Sequence, residues 1–180
     1  MSTPSVLVVL PTLGDRQDFL ERALQSCADL NKLIPTTVVV IVPPGSGPAR
    51  QAAHDAGAIV LDDPGTGMAD AVNAGLQVTS TEGFYVWLGD DDELVPSGVV
   101  ELVGALENDP SAVMAYGHCD YVDGSGSVIG TSNAGPWARF FLPWGPNLIP
   151  HPGTVVRLRA LRTSAGLTQR FAMRSIFMFF

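Results

Sequence analysis

The stretch Val6-Leu7-Val8-Val9-Leu10-Pro11 contains five aliphatic residues in succession and ends at a proline. Such a run is typical of a strand buried on both faces of a parallel sheet. Comparable apolar runs follow at residues 37–42, 58–61, 84–88 and 113–116. These five runs predict the strands of one sheet.

Between the strands, apolar residues recur at helical spacing. The first helix is predicted around Leu20 and Leu30, with Asp15 or a neighbour as its cap. Further helices are predicted between Pro48 and Gly57, from residue 68 to 76, and after residue 96. Alternating strands and helices predict the α/β class, with a mostly parallel sheet flanked by helices.

The pattern changes near the middle of the chain. Asp123-Gly124 predicts the turn of a small antiparallel hairpin between residues 120–122 and 127–129. A further strand is predicted at 154–157 and a helix at 160–164. The length of 180 residues fits a single domain, and 46% hydrophobic residues are enough for a core, which excludes intrinsic disorder.

Charge is distributed unevenly. All 18 acidic residues lie between Asp15 and Asp123 with only four basic ones, so residues 1–123 carry −14, whereas residues 124–180 contain six arginines and no acid. Without a basic cluster, nucleic acid is not an expected partner, but a divalent cation is. No apolar run approaches the ~20 residues of a membrane span, and the N-terminus lacks a basic region, so we expect a cytoplasmic protein.

The strongest chemical signal is Gly89-Asp90-Asp91-Asp92-Glu93, at the end of the fourth predicted strand. Ligands of open α/β sheets bind at the carboxyl ends of strands. Four consecutive acids repel one another, and Mg²⁺ or Mn²⁺ bridging one or two of them to a diphosphate is one reason to gather them. The alternative is that they cap the helix predicted after residue 96. The residues alone leave both interpretations open.

A second, weaker signal lies between Gly65 and Gly75. Gly65 and Gly67 would let a phosphate or sugar approach the backbone at the start of a helix. Asp70 occupies the third glycine position, so this is not a dinucleotide-binding fingerprint. A tight turn without a ligand is the alternative.

Taken in order, four segments resemble the family 2 glycosyltransferases, which have the GT-A fold of nucleotide-diphospho-sugar transferases. They cover residues 8–24, 67–76, 85–92 and 149–167. The resemblance implies transfer of a sugar from a nucleotide-diphospho-sugar to an unknown acceptor, such as a glycan or a lipid-linked sugar at the cytoplasmic membrane face.

The resemblance also implies roles for particular residues. The family's acidic motif reads Asp-x-Asp or Asn-x-Asp-Asp, so Gly89 stands at its first position. The implied metal ligands, for Mg²⁺ or Mn²⁺, are Asp91 and Asp92. The implied donor-binding residues are Pro11, Thr12, Leu13, Asp70, Asn73 and Asp90.

The sequence departs from the family at two places. Residues 43–46 read Pro-Pro-Gly-Ser where Asp-Asp-Gly-Ser is common, which removes a donor-recognition carboxylate. No acid follows Asp123, so the catalytic base is not identified. His151 and Asp120 are the candidates, and Asp123 on the same hairpin is also possible.

From the missing acids we hypothesise a single GT-A-like domain that has been shortened near Met173. Residues 1–123 would form its nucleotide-sugar-binding part, and residues 124–180 an incomplete acceptor-side part. The alternatives are a catalytically inactive sugar-nucleotide-binding module or truncated remnant, and, ranked lowest, a nucleotidyltransferase. Residues 11–14 do not have the glycine-rich sequence of the phosphate-binding loop that a nucleotidyltransferase uses.

Overall fold

The computed structural model describes residues 3–78, 81–132 and 151–163. In these residues strands and helices alternate, as predicted, up to the fifth strand. The elements are β1 (Val6–Pro11), α1 (Gln17–Asn31), β2 (Thr36–Val42), α2 (Gly47–Asp55), β3 (Ile59–Asp62), α3 (Met68–Val78), β4 (Phe84–Trp87), α4 (Pro96–Asn108), β5 (Met114–Tyr116), β6 (Cys119–Val122), β7 (Val128–Ser132), β8 (Thr154–Arg157) and α5 (Leu158–Thr163).

Six strands form the main sheet, in the order β3-β2-β1-β4-β8-β5. Strands β1 to β4 are mutually parallel, with Val8 opposite both Val38 and Val86. Strand β8 is antiparallel to its two neighbours, β4 and β5. The prediction of a mostly parallel sheet is confirmed, and the antiparallel insertion of β8 is a feature that the sequence pattern did not predict.

Strand β1 is aliphatic throughout because both of its faces are buried. Val6, Val8 and Leu10 pack in a cluster with residues of α1, α2 and α4, while Leu7 and Val9 pack in a second cluster with residues of α3 and α5. Successive side chains of a strand point to opposite faces, so the sheet needs apolar residues at every position of its central strand. The same burial fixes the loop that leaves β1.

Strands β6 and β7 form a separate two-stranded antiparallel sheet, which confirms the predicted hairpin. The Asp123 amide donates to the Ser127 carbonyl, and the Asp123 carboxylate accepts hydrogen bonds from Ser125 and Ser127. Strand β7 begins at Val128, one residue later than predicted, and Gly126 in this turn has a positive φ of 82°.

Helix α1 departs from the predicted capping. Its N-cap residue is Arg16, which makes no side-chain capping hydrogen bond. Asp18 lies in the first turn, where negative charge is favourable. The side-chain cap expected from Asp15 or a neighbour is therefore not formed. The Arg16 side chain instead contacts Asp90 and Asp91.

No helix in the described part of the chain combines the length and the hydrophobicity needed to cross a bilayer.

Candidate active site

The carboxyl ends of β1 and β4 lie side by side. Val9 is opposite Trp87 in the parallel register, and the Leu88 amide donates to the Val9 carbonyl at 3.1 Å. The loop after β1 and the loop of residues 89–93, the acidic loop, therefore leave the sheet next to each other. This is the edge at which open α/β sheets bind ligands.

A buried hydrogen bond joins the two loops. Thr12 Oγ1 donates to Asp90 Oδ2 at 2.6 Å, and both residues are about 95% buried. The same hydroxyl accepts from the Gly14 amide at 2.9 Å. A buried carboxylate needs such a partner, so this bond fixes the position of Asp90.

Arg16 spans two carboxylates of the acidic loop. Its Nη2 lies 2.5 Å from Asp90 Oδ1 and its Nη1 lies 2.6 Å from Asp91 Oδ2. The hydrogen bond with Asp91 and the charge of Asp90 raise the pKa of Arg16 further above its ordinary value. The site-residue predictions missed Arg16. The signal that could have found it is its position as the one basic residue in the loop after the first strand.

Gly89 makes room for two further carboxylate oxygens. A Cβ added at Gly89 would lie 2.8 Å from Asp92 Oδ2 and 3.1 Å from Asp91 Oδ1. Asp91 therefore uses one oxygen for Arg16 and directs the other, together with Asp92, over Gly89. Burial and then the charge of Asp91 raise the pKa of Asp92.

These oxygens fit a hard divalent cation that also binds a diphosphate. Mg²⁺ commonly takes one or two protein carboxylates together with substrate phosphates. Among the described residues, no three His, Cys, Asp or Glu side chains form a metal-binding cluster. The alternative, capping of α4, is not found, because its N-cap residue Val95 has no side-chain capping bond and no acid lies in its first turn.

The second predicted site, between Gly65 and Gly75, consists of the loop after β3 and the start of α3. Gly65 and Gly67 have positive φ angles of 71° and 117°, which favour glycine. The Gly67 carbonyl accepts from the amides of Asp70 and Ala71, so it starts the helix. Asp70 and Asn73 are half-buried on the first two turns of α3.

The two candidate bases lie on neighbouring segments. Asp120 is exposed on β6, where its carboxylate accepts from Thr131 Oγ1 at 2.6 Å. Burial and then the charge of Asp92 raise the pKa of Cys119 at the start of β6. Residues 151–153 form a 3₁₀ turn whose Gly153 carbonyl accepts from the Gly117 amide at 2.8 Å, whereas the His151 side chain lies outside the described residues.

The loop at residues 43–46 packs on the loop after β1. Ser46 Oγ donates to the Leu13 carbonyl at 3.2 Å, and a Cβ on Gly14 would lie 2.7 Å from Ser46 Cβ. Leu13 is 67% exposed and Pro11 is buried. Ser46, the last residue of the Pro-Pro-Gly-Ser segment, thus supports the backbone of the predicted nucleotide-binding loop.

The mostly parallel sheet, the antiparallel β8 and the acidic loop after β4 together define the GT-A fold of nucleotide-diphospho-sugar transferases. The family profile described as "Glycosyl transferase family 2" matches residues 7–162. The chain belongs to this family. A search of curated proteins found no match.

Solved structures share the fold at low sequence identity. A Pyrobaculum calidifontis mannosyltransferase, PcManGT, in complex with GDP-Man and Mn²⁺ has a TM-score of 0.69 at 14% identity, over 97% of this chain and 50% of that one. S. aureus TarS 1-349 in complex with UDP-GlcNAc has a TM-score of 0.69 at 13% identity, over 96% and 52%.

A third similar structure also contains Mn²⁺. Mycobacterium tuberculosis glucosyl-3-phosphoglycerate synthase, in complex with Mn²⁺, UDP and glucosyl-3-phosphoglycerate, has a TM-score of 0.60 at 19% identity, over 88% of this chain and 58% of that one. The present chain thus spans about half the length of the structures that it matches.

Proposed function

We propose that this protein binds a nucleotide-diphospho-sugar at the carboxyl ends of β1 and β4 and transfers the sugar to an acceptor hydroxyl. The observation that carries the proposal is the convergence of Asp91 and Asp92 over Gly89, beside the buried Thr12–Asp90 bond. Membership of the family and the nucleotide-sugar complexes of the similar structures support it.

Each donor-side residue has a role in this proposal. Asp91 and Asp92 would hold Mg²⁺ or Mn²⁺, which when bound would supply positive charge to the departing diphosphate. Pro11, Thr12 and Leu13 contact the base and ribose, and Thr12 also fixes Asp90. Asp70 and Asn73, on the first two turns of α3, face the nucleotide-sugar. Mn²⁺ in two of the similar structures supports the choice of cation.

The acceptor side needs a base if the transfer inverts the anomeric centre, because the attacking hydroxyl must lose its proton. Asp120 and His151 are the candidates, on two segments that are neighbours through the hydrogen bond between the Gly117 amide and the Gly153 carbonyl. Asp120 has a carboxylate oxygen already bound by Thr131, which would orient it. The acceptor is a glycan or lipid-linked sugar hydroxyl in this proposal.

Calorimetry with a panel of nucleotide-sugars, with and without Mn²⁺, tests the proposal. We expect one nucleotide-sugar to bind in a Mn²⁺-dependent manner and Asp91→Asn to lose that binding. Glu93→Gln is the matched control, because Glu93 pairs with Arg22 and its oxygens do not face Gly89. Absence of binding across the panel, with Mg²⁺ as well as Mn²⁺, would contradict the proposal.

Turnover separates a transferase from a binding module. Release of nucleoside diphosphate from the bound donor, in the presence of candidate acceptors, is the expected result. Binding that is never followed by release would instead indicate an inactive sugar-nucleotide-binding module.

A further inference from the structure

Arg16 is a charged residue at this edge of the sheet to which the proposed function assigns no role. Its guanidinium contacts Asp90 and Asp91 through different nitrogens, at 2.5 and 2.6 Å. A planar guanidinium can reach two carboxylates through two separate nitrogens, whereas an ammonium presents all of its donors from one nitrogen. Arg16 thus supplies positive charge at the place where the cation is proposed to bind.

The two contacts differ in exposure. The side chain of Asp90 is 5% exposed and is also held by Thr12, whereas the side chain of Asp91 is 51% exposed. Ion pairs between exposed groups contribute little and are easily exchanged. Breaking the contact with buried Asp90 would leave a buried carboxylate with one partner fewer, which is costly. The Asp91 contact is therefore the exchangeable one.

The oxygens of Asp91 are also divided. Arg16 contacts Oδ2, while Oδ1 lies with Asp92 Oδ2 over Gly89. A cation bound over Gly89 would draw electron density from the same carboxylate that Arg16 holds, and the two positive charges would repel each other. The cation and the Arg16–Asp91 contact thus compete for one carboxylate.

We infer that Arg16 is a positioning residue of the donor site, which acts as an exchangeable counter-ion for Asp91. Without a divalent cation it holds Asp91 in place over Gly89 and offsets the repulsion within the acidic loop. When the cation binds, Arg16 leaves Asp91, keeps its contact with Asp90, and turns its free Nη1 toward the diphosphate that accompanies the cation. This inference rests on the proposed function.

Titration with Mn²⁺ alone, followed by the electron paramagnetic resonance signal of the free ion, tests it. We expect Arg16→Gln to bind Mn²⁺ at least about fivefold more tightly than the wild-type protein, because the competing charge is gone. Arg22→Gln is the matched control. Arg22 is equally exposed, at 45%, and pairs with Glu93 of the same loop, so its loss should change Mn²⁺ affinity less than about twofold.

Arg16→Lys keeps the positive charge and protects the test against misfolding of the glutamine variant. One ammonium can stay on Asp90 without reaching Asp91, so Mn²⁺ affinity should again rise, by a smaller factor than in Arg16→Gln. Circular dichroism checks that each variant is folded. If Arg16→Gln does not fold, the Mn²⁺ affinity of Arg16→Lys tests the inference: a higher affinity than that of the wild-type protein supports it, and an equal or lower affinity contradicts it.

Three results would overturn the inference. If the wild-type protein binds Mn²⁺ and loss of Arg16 leaves the affinity unchanged or lower, Arg16 is structural, while the proposed metal site stands. If Arg16→Gln and Arg22→Gln strengthen binding equally, the effect is one of general charge. If neither the wild-type protein nor Arg16→Gln binds Mn²⁺, both the inference and the metal-dependent function fail.

Discussion

The region built from β1 to β4 and the hairpin of β6 and β7 present similar groups in different surroundings. All six residues of β1 are buried, whereas Tyr121, Val122, Val128 and Ile129 of the hairpin are each about half or more exposed. Both regions contain a threonine hydroxyl bonded to an aspartate at 2.6 Å, buried for Thr12–Asp90 and exposed for Thr131–Asp120. The comparison teaches that the proposed donor side is fixed by the core, while the candidate base Asp120 is held only locally.

The largest contrast is expected in donor binding. Asp91→Asn should weaken Mn²⁺-dependent binding of the nucleotide-sugar by about 100-fold or more, because it removes a proposed metal ligand. Asp123→Asn, in the hairpin turn, should leave donor binding unchanged. Calorimetry at fixed Mn²⁺ measures both, and an equal loss in the two variants would remove the distinction between the regions.

The second contrast concerns packing. Gly75 of α3 lies against β1 and β2, and an added Cβ would meet Val9 Cγ1 at 2.6 Å and Ile41 Cδ1 at 3.1 Å. Gly75→Ala should therefore lower the free energy of unfolding by about 1–3 kcal/mol. Gly130→Ala in β7 should change it by less than about 0.5 kcal/mol, because the nearest atom, Tyr121 Cδ2, is at 3.9 Å. Urea unfolding measures both values, and a neutral Gly75→Ala would show that α3 is not closely packed.

The third contrast uses the two threonines. Thr12→Val leaves buried Asp90 without its hydroxyl partner and should cost about 1–2 kcal/mol of unfolding free energy. Thr131→Val removes a bond of the same length from an exposed aspartate and should cost less than about 0.5 kcal/mol. Denaturant unfolding of the two variants is the measurement. Equal costs would mean that burial does not set the strength of these bonds.

The smallest effect is expected in the hairpin turn. Hydrogen bonds from the Ser125 hydroxyl, and then from the Ser125 and Ser127 amides, lower the pKa of Asp123 below its ordinary 3.8. A lowered carboxyl pKa in the folded state stabilises the turn above the unfolded pKa, and that stability is lost as the pH falls through the folded pKa. Amide exchange of the hairpin should thus be faster in Asp123→Asn at pH ~6 and match the wild-type rate once the carboxyl is protonated. A difference that persists in acid would rule out this linkage.

The fold was largely predictable because strands such as Val6–Pro11 are buried on both faces and are therefore apolar throughout. Residue spacing also located Asp91 and Asp92 at a strand end. It could not show that β1 and β4 are neighbours, since that depends on the long-range order of strands in the sheet. The pairing of Arg16 with the acidic loop follows from that order, and so does the antiparallel insertion of β8.

The proposed donor site depends most on a cation bound over Gly89 by Asp91 and Asp92. Crystals of the protein soaked with Mn²⁺ and a nucleoside diphosphate, with data collected for manganese anomalous scattering, test this directly. We expect an anomalous peak within coordination distance of Asp91 Oδ1, Asp92 Oδ2 and the diphosphate, and no such peak in Asp91→Asn. An anomalous peak at other carboxylates with none at Asp91, or diphosphate bound without manganese at Asp91, would contradict the proposed metal site.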